Sequence, residues 1–328
     1  MENNLKFIGI DVSKLTLDIC VITSTTKFYE ISNTQKDIQK FFLKELDSAG
    51  SAHVCIENTG KYSWELMRSL PGLDCMFYVV NPLHLKRSIG LVRGKNDQVD
   101  AERIAGFIKK NHAETKPFTV RRDEIETIQV LLSERSIRIG QKSQLATKSK
   151  ELSTLNNPKL AKLIQTKNNR IVKELNKQIK ELEALIKQII ENDSQLMLLN
   201  KQLKSIPGVG DILAWNMIVK TNEFKTITEP RKMACYTGVA PFSCSSGTSV
   251  FGKPRVSLLA DKKLKKILHL GAMSAIRFNN DLAVYYHRKV EEGKNKMSVL
   301  NAVRNKIIHL IFALIKNQTF YENRLAVS

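Results

Sequence analysis

Leu5-Lys6-Phe7-Ile8-Gly9-Ile10-Asp11-Val12 sets the start of the fold. The run is apolar and short, which predicts a buried strand. Asp11 stands at its end, where a carboxylate costs free energy unless it is paired or holds a cation. Working outward, Ser13-Lys14 turns the chain, and residues 15–23 and 26–32 read as a second and a third strand. A helix is expected over about 35–48, then a fourth strand over 52–57, closed by Asn58-Thr59-Gly60. Residues 62–70 read as helix broken by Pro71-Gly72, 75–80 as a fifth strand ended by Asn81-Pro82, and about 97–110 as helix. Three strands in a meander followed by alternating helix and strand is the order of a ribonuclease-H-like α/β domain, here residues 1–120.

Residues 121–200 have a different pattern. Apolar residues fall at Val172, Leu175, Ile179, Leu182, Ile186, Ile189 and Leu196, with Asp193 at the next seam position. This spacing is about three heptads of coiled coil. It fits pairing between subunits and packing of two helices within one chain equally well, with 123–150 as the second helix and Asn156-Asn157-Pro158 as the turn. In 201–328, Ser205-Ile206-Pro207-Gly208-Val209-Gly210-Asp211 leads into a helix over about 211–220. This turn is like that of helix-hairpin-helix modules, in which backbone N–H groups at a helix start hold a phosphate. Gly208 and Gly210 are the candidate residues. Residues 241–257 read as a Ser- and Gly-rich loop, and 261–278 and 296–317 as helices.

Charge divides unevenly among the three parts. The 328-residue chain carries +20. Residues 1–120 hold 16 Lys and Arg against 14 acids, 121–200 hold 15 against 10, and 201–328 hold 21 against 8. The last part therefore favours a polyanion such as nucleic acid, while the first keeps its carboxylates. No uninterrupted apolar run is long enough to span a bilayer, so no membrane role is expected. The five cysteines form no CxxC pair, which fits a reducing, cytoplasmic compartment and no zinc site.

Four acids stand out by position. Asp11 and Glu57 end strands, and Asp97 and Asp100 lie three apart on one helix face. Each alone has a structural explanation: Asp11 caps a turn, Glu57 pairs with Lys61, Asp97 starts a helix. Together, at these places in this fold order, they predict an oxygen cage for one or two Mg²⁺ ions suited to phosphoryl transfer.

The motifs Ile8-Gly9-Ile10-Asp11-Val12-Ser13-Lys14, Ile56-Glu57-Asn58-Thr59-Gly60, Val80-Asn81-Pro82, Lys95-Asn96-Asp97-Gln98-Val99-Asp100-Ala101, Ser205-Ile206-Pro207-Gly208-Val209-Gly210, Gly238-Val239-Ala240-Pro241 and Ser246-Gly247-Thr248-Ser249-Val250-Phe251-Gly252, in this order, resemble the DEDD-class transposases of the insertion sequence one-ten family. The resemblance covers nearly the whole chain. It implies a RuvC-like first domain with Asp11, Glu57, Asp97 and Asp100 as Mg²⁺ ligands, and a mainly α C-terminal transposase domain with Ser246 as nucleophile. Matching Ser-Gly-x-Ser-Val-x-Gly selects Ser246, with the adjacent Ser245 one residue away. It also implies donor and target DNA and a structured guide RNA as partners, with base pairing reading sequence and the protein binding backbone.

Lys253, Arg255, Lys262, Lys263, Lys265 and Lys266 are the candidate nucleic-acid contacts. The expected protein is a metal-dependent recombinase of a bacterial or archaeal mobile element, acting at the nucleoid as a dimer or tetramer. Two rivals stand beside it: a RuvC-like junction-resolving nuclease that uses metal-activated water, and a non-enzymatic DNA-bridging protein.

Overall fold

The computed structural model describes residues 5–46, 52–58, 60–70, 73–89, 96–152, 154, 156–246, 250–278 and 280–323; the side chains of 61, 89, 243–246 and 250–255 lie outside that description. The chain divides into two compact units, Met1–Val120 and Arg121–Ser328.

In the first unit β1 (Lys6–Val12), β2 (Thr16–Ile22), β3 (Thr26–Ser32), β4 (Ala52–Glu57) and β5 (Cys75–Val80) form one sheet in the order β3-β2-β1-β4-β5. β1, β2 and β3 pair antiparallel, while β4 runs parallel to β1 and β5 parallel to β4. Alternation along β1 sorts the two faces. Ile8, Ile10 and Val12 join Ile38 and Phe42 of α1 (Gln35–Leu46) and Leu66 of α2 (Trp64–Ser69) in one core. Phe7 packs on the other side with Ile104, Phe107 and Ile108 of α4 (Asp97–Asn111). Gly9 lies on that side too, and a Cβ there would fall 2.1 Å from Ala105 N and 2.2 Å from Ala101 O. Without that side chain α4 rests directly on β1. The five strands and α1, α2 and α4 occupy the stretches the hydrophobic pattern indicates.

One helix was not expected. α3 (Pro82–Ile89) starts at the proline read above as a strand end. Pro82 occupies the first helical position, where a missing N–H costs nothing, and the Asn81 side chain accepts from Leu83 N.

The second unit opens with α5 (Asp123–Leu152) and α6 (Pro158–Asn192), an antiparallel hairpin. Arg135 Nε donates to Glu183 Oε1 at 2.6 Å, Arg138 Nε to Gln178 Oε1 at 2.9 Å, and Asn168 Nδ2 to Ser149 Oγ at 3.3 Å. Leu175, Ile179 and Ile186 are buried, and Val172, Leu182 and Ile189 partly buried, so the heptad face serves packing inside the chain. The seam also ends earlier than its spacing suggests. Asp193 is extended, accepts from Leu196 N and caps α7 (Ser194–Lys204), so Leu196 belongs to a new helix.

α8 (Asp211–Lys220), α9 (Pro230–Tyr236), α10 (Lys262–Ala275), α11 (Asp281–Glu291) and α12 (Lys296–Asn317) complete the unit. One core gathers Ile125 and Ile128 of α5 and Ile186 and Ile190 of α6 with α7, α8 and residues of α9 to α12. α12 is long and apolar enough to cross a membrane by composition, but its Val299, Leu300, Val303, Ile307, Ile308 and Ile311 lie in this core. The stretch read as a loop over 241–257 contains a hairpin, β6 (Phe242–Ser246) with β7 (Val250–Arg255). β-Branched and aromatic residues at Phe242, Val250 and Phe251 support strand pairing despite the serines.

Candidate functional site

The carboxylates gather at one end of the first unit's sheet. Asp11 stands one residue before the end of β1, and Glu57 ends β4 beyond the Ile10–Ile56 pair. α4 begins at Asp97 with Asn96 as its cap, the Asn96 side chain accepting from Gln98 N at 3.2 Å. Because Ala101 and Ala105 sit over Gly9, the first turn of α4 lies above the Asp11 end of β1.

The electrostatics record this proximity. Burial first, then the charges of Asp97, Asp100 and Glu57, push the Asp11 carboxyl up to about 6. Glu57 is raised by burial and then by Asp100. The four sequence-predicted acids thus share one field. They do not close into a ready cage: among the described residues no three acidic, His or Cys side chains converge tightly enough to hold an ion. Asp100 explains part of this, since its Oδ1 accepts from Arg103 at 2.6 Å. Four carboxylates sharing one field are hard oxygen donors, the chemistry that could hold a divalent cation.

A fifth acid escaped the sequence reading. Asp18 of β2 is paired directly with Asp11, and on its other side with Glu30 of β3. Asp18 is only 8% exposed, and burial, then Asp97 and Glu30, raise its carboxyl. Like charges directly opposed across a sheet are destabilising. The readable signal was the hairpin register: with the turn after Val12, Asp18 falls opposite Asp11.

In the second unit the predicted contacts separate into groups. Gly208, Gly210, Lys263 and Lys266 line one groove of about 1720 Å³, together with Lys204 and Lys220. Gly208 has φ +84°, and a Cβ on it would meet Gly271 O at 2.2 Å, so close packing of the turn on α10 accounts for this glycine. Gly210 caps α8 and has open space around it. At the start of α8, Asp211 Oδ1 lies 2.5 Å from Lys204 Nζ. Lys262 is exposed on α10, and Lys265 is partly buried away from the groove. Ser246 ends β6 and Lys253 and Arg255 lie in β7, but their side chains, and residues 247–249 between the strands, are outside the described residues.

Comparison with known proteins accords with this layout. A family model of a DEDD transposase of the IS110 type, described as transposase, matches residues 8–157, and one described as transposase IS116/IS110/IS902 family matches residues 200–287. The chain is 24% identical to the pilin gene-inverting protein of Moraxella lacunata over 97% of its own length and 98% of that protein. The pilin gene-inverting protein of Moraxella bovis gives the same identity and coverage. An uncharacterized 43.6 kDa protein of insertion element IS110 from Streptomyces coelicolor is 30% identical over 46% of this chain and 36% of that protein. With both halves of the fold matched in order, the chain belongs to the IS110 family of transposases.

Proposed function

We propose that this transposase cuts and rejoins DNA of a mobile element through a Mg²⁺ site at Asp11, Glu57, Asp97 and Asp100 and a covalent step at Ser246. The observation that carries the reading is the shared field of the four acids, which holds Asp11 at about 6. Such repulsion costs stability and calls for a cation. When bound, Mg²⁺ supplies charge stabilisation to a phosphodiester under attack.

The Ser246 hydroxyl forms a new O–P bond as the bond to a sugar oxygen breaks. The serine gives up its proton and the departing oxygen gains one. A phosphoserine link keeps the energy needed for rejoining, whereas attack by water discards it. The names of the Moraxella relatives, which describe gene inversion, support a reaction that rejoins what it cuts. The basic residues of 201–328 suit the backbones of donor and target DNA and of a structured guide RNA. Exposed Leu163 and Ile171 on α6 support assembly into a dimer or tetramer.

The test traps the reaction on end-labelled DNA under denaturing conditions. A protein–DNA adduct is expected with wild type and Ser245→Ala and lost with Ser246→Ala. Cleavage without any adduct would replace this reading with the water-using nuclease. An absence of cleavage in Mg²⁺ would leave the DNA-bridging protein.

A further inference from the structure

A buried arginine in the second unit has no counter-charge among the described residues. Arg304 of α12 is only 7% exposed, and its Nε has no hydrogen-bond partner. Among the described residues no carboxylate pairs with it, and the undescribed residues of this unit carry no acidic side chain. Burial, then the Arg304 charge, lowers the pKa of the Lys265 ammonium on α10, which has no ion pair among the described residues. A buried guanidinium with a partly buried ammonium of like charge nearby is a costly arrangement unless an anion completes it.

The surroundings suit such an anion. Gly238, at φ +64°, faces Lys265, whose Nζ would lie 3.8 Å from a Cβ at that position. Asn301, one turn before Arg304, donates from Nδ2 to Val239 O at 2.9 Å and fixes the same turn. A further buried polar atom lacks a partner on the same side of α10, His269 Nδ1 one turn beyond Lys265. Residues 238–241 lead into β6, the strand that ends on Ser246. On α10 the exposed Lys262, Lys263 and Lys266 flank Lys265.

We propose that Lys265 and Arg304 form a site for one backbone phosphate of a nucleic-acid strand, at the root of the β6–β7 hairpin. The proposal rests on the recombinase reading for its ligand, a strand held beside the hairpin. The arginine fork suits two oxygens of one phosphate, and the lysine adds a point charge. Exposed lysines on either side favour a polyanion over a free ion.

The experiment uses the full chain, wild type against Arg304→Met and Lys265→Met. Thermal midpoints are read in phosphate-free buffer and with added inorganic phosphate, and affinity for a short DNA duplex is read across a salt series. Phosphate is expected to raise the wild-type midpoint by about 2 °C or more. Arg304→Met should match or exceed the wild-type midpoint without phosphate and lose the rise. Its DNA affinity should fall about tenfold, with a salt slope smaller by about one. If Arg304→Met does not fold, Lys265→Met, a partly buried position, gives the same readout. A lower midpoint with the phosphate response and DNA affinity intact would make Arg304 structural and overturn the site. Loss of the phosphate response with unchanged DNA affinity would overturn the strand as ligand in favour of a free anion. Strand exchange enters neither measurement, so failure of the recombinase reading would show separately, as wild type that binds DNA without recombining it.

Discussion

Asp11→Asn tests the site without depending on catalysis. Asp11 is held at about 6 against 3.8 for a free side chain, by burial and by three neighbouring acids. That difference of about two pH units corresponds to at most about 3 kcal/mol. The carboxyl is only partly buried, so solvent screening leaves about 1.5 kcal/mol. The sign follows from the direction of the shift. Because the folded protein holds this proton more tightly than the unfolded chain, stability falls as pH rises from about 4 to about 6. Above that range an amide, which cannot ionise, should stabilise the Mg²⁺-free protein. Differential scanning fluorimetry at pH 7.5 with chelator should place Asp11→Asn about 3–6 °C above wild type. At pH 4, where Asp11 is protonated, the gap should close. Added Mg²⁺ should raise wild type and leave the variant nearly unchanged, while strand exchange by the variant is lost. An amide variant that is less stable by the same margin at both pH values would refute the repulsion argument. A variant that recombines fully in Mg²⁺ would remove Asp11 from the metal site.

Three further outcomes follow from the packing. Gly9→Ala drives a Cβ into the backbone of α4, so it should cost about 3 kcal/mol or more in urea unfolding; a change below about 1 kcal/mol would mean α4 shifts freely. Glu223→Gln strips a fully buried carboxylate from Arg122 and should cost about 3 kcal/mol near neutral pH. Burial raises this carboxyl but Arg122 and Lys225 outweigh it, so the contribution should fade as pH drops below about 4.5, and a pH-independent loss would argue against the ion pair. Leu163→Lys with Ile171→Lys, both exposed on α6, should lower the mass measured by light scattering; unchanged mass would remove this face from assembly.

Sequence pattern carries the first unit because strands and helices there obey local rules. Short runs rich in apolar, β-branched and aromatic residues mark the strands, and Asn96 before Asp97 marks the start of α4. Asp11 and Glu57 were legible because acids near the ends of apolar strands are visible one strand at a time, and Asp97 and Asp100 because they lie three apart in the first turn of one helix. Asp18 was not, because its meaning comes from Asp11 across the hairpin and from Glu30 on its other side. The heptads of α6 were equally legible as an apolar face, but periodicity does not say which helix fills it. Only the fold assigned it to α5 and ended the seam at Asp193, where Arg122 pairs with the capping carboxylate at 2.5 Å. The charge of 201–328 could be counted from the sequence, whereas the isolation of Arg304 could not. A residue's charge is local, but its solvation and its counter-ion depend on what α10 and α12 bring around it.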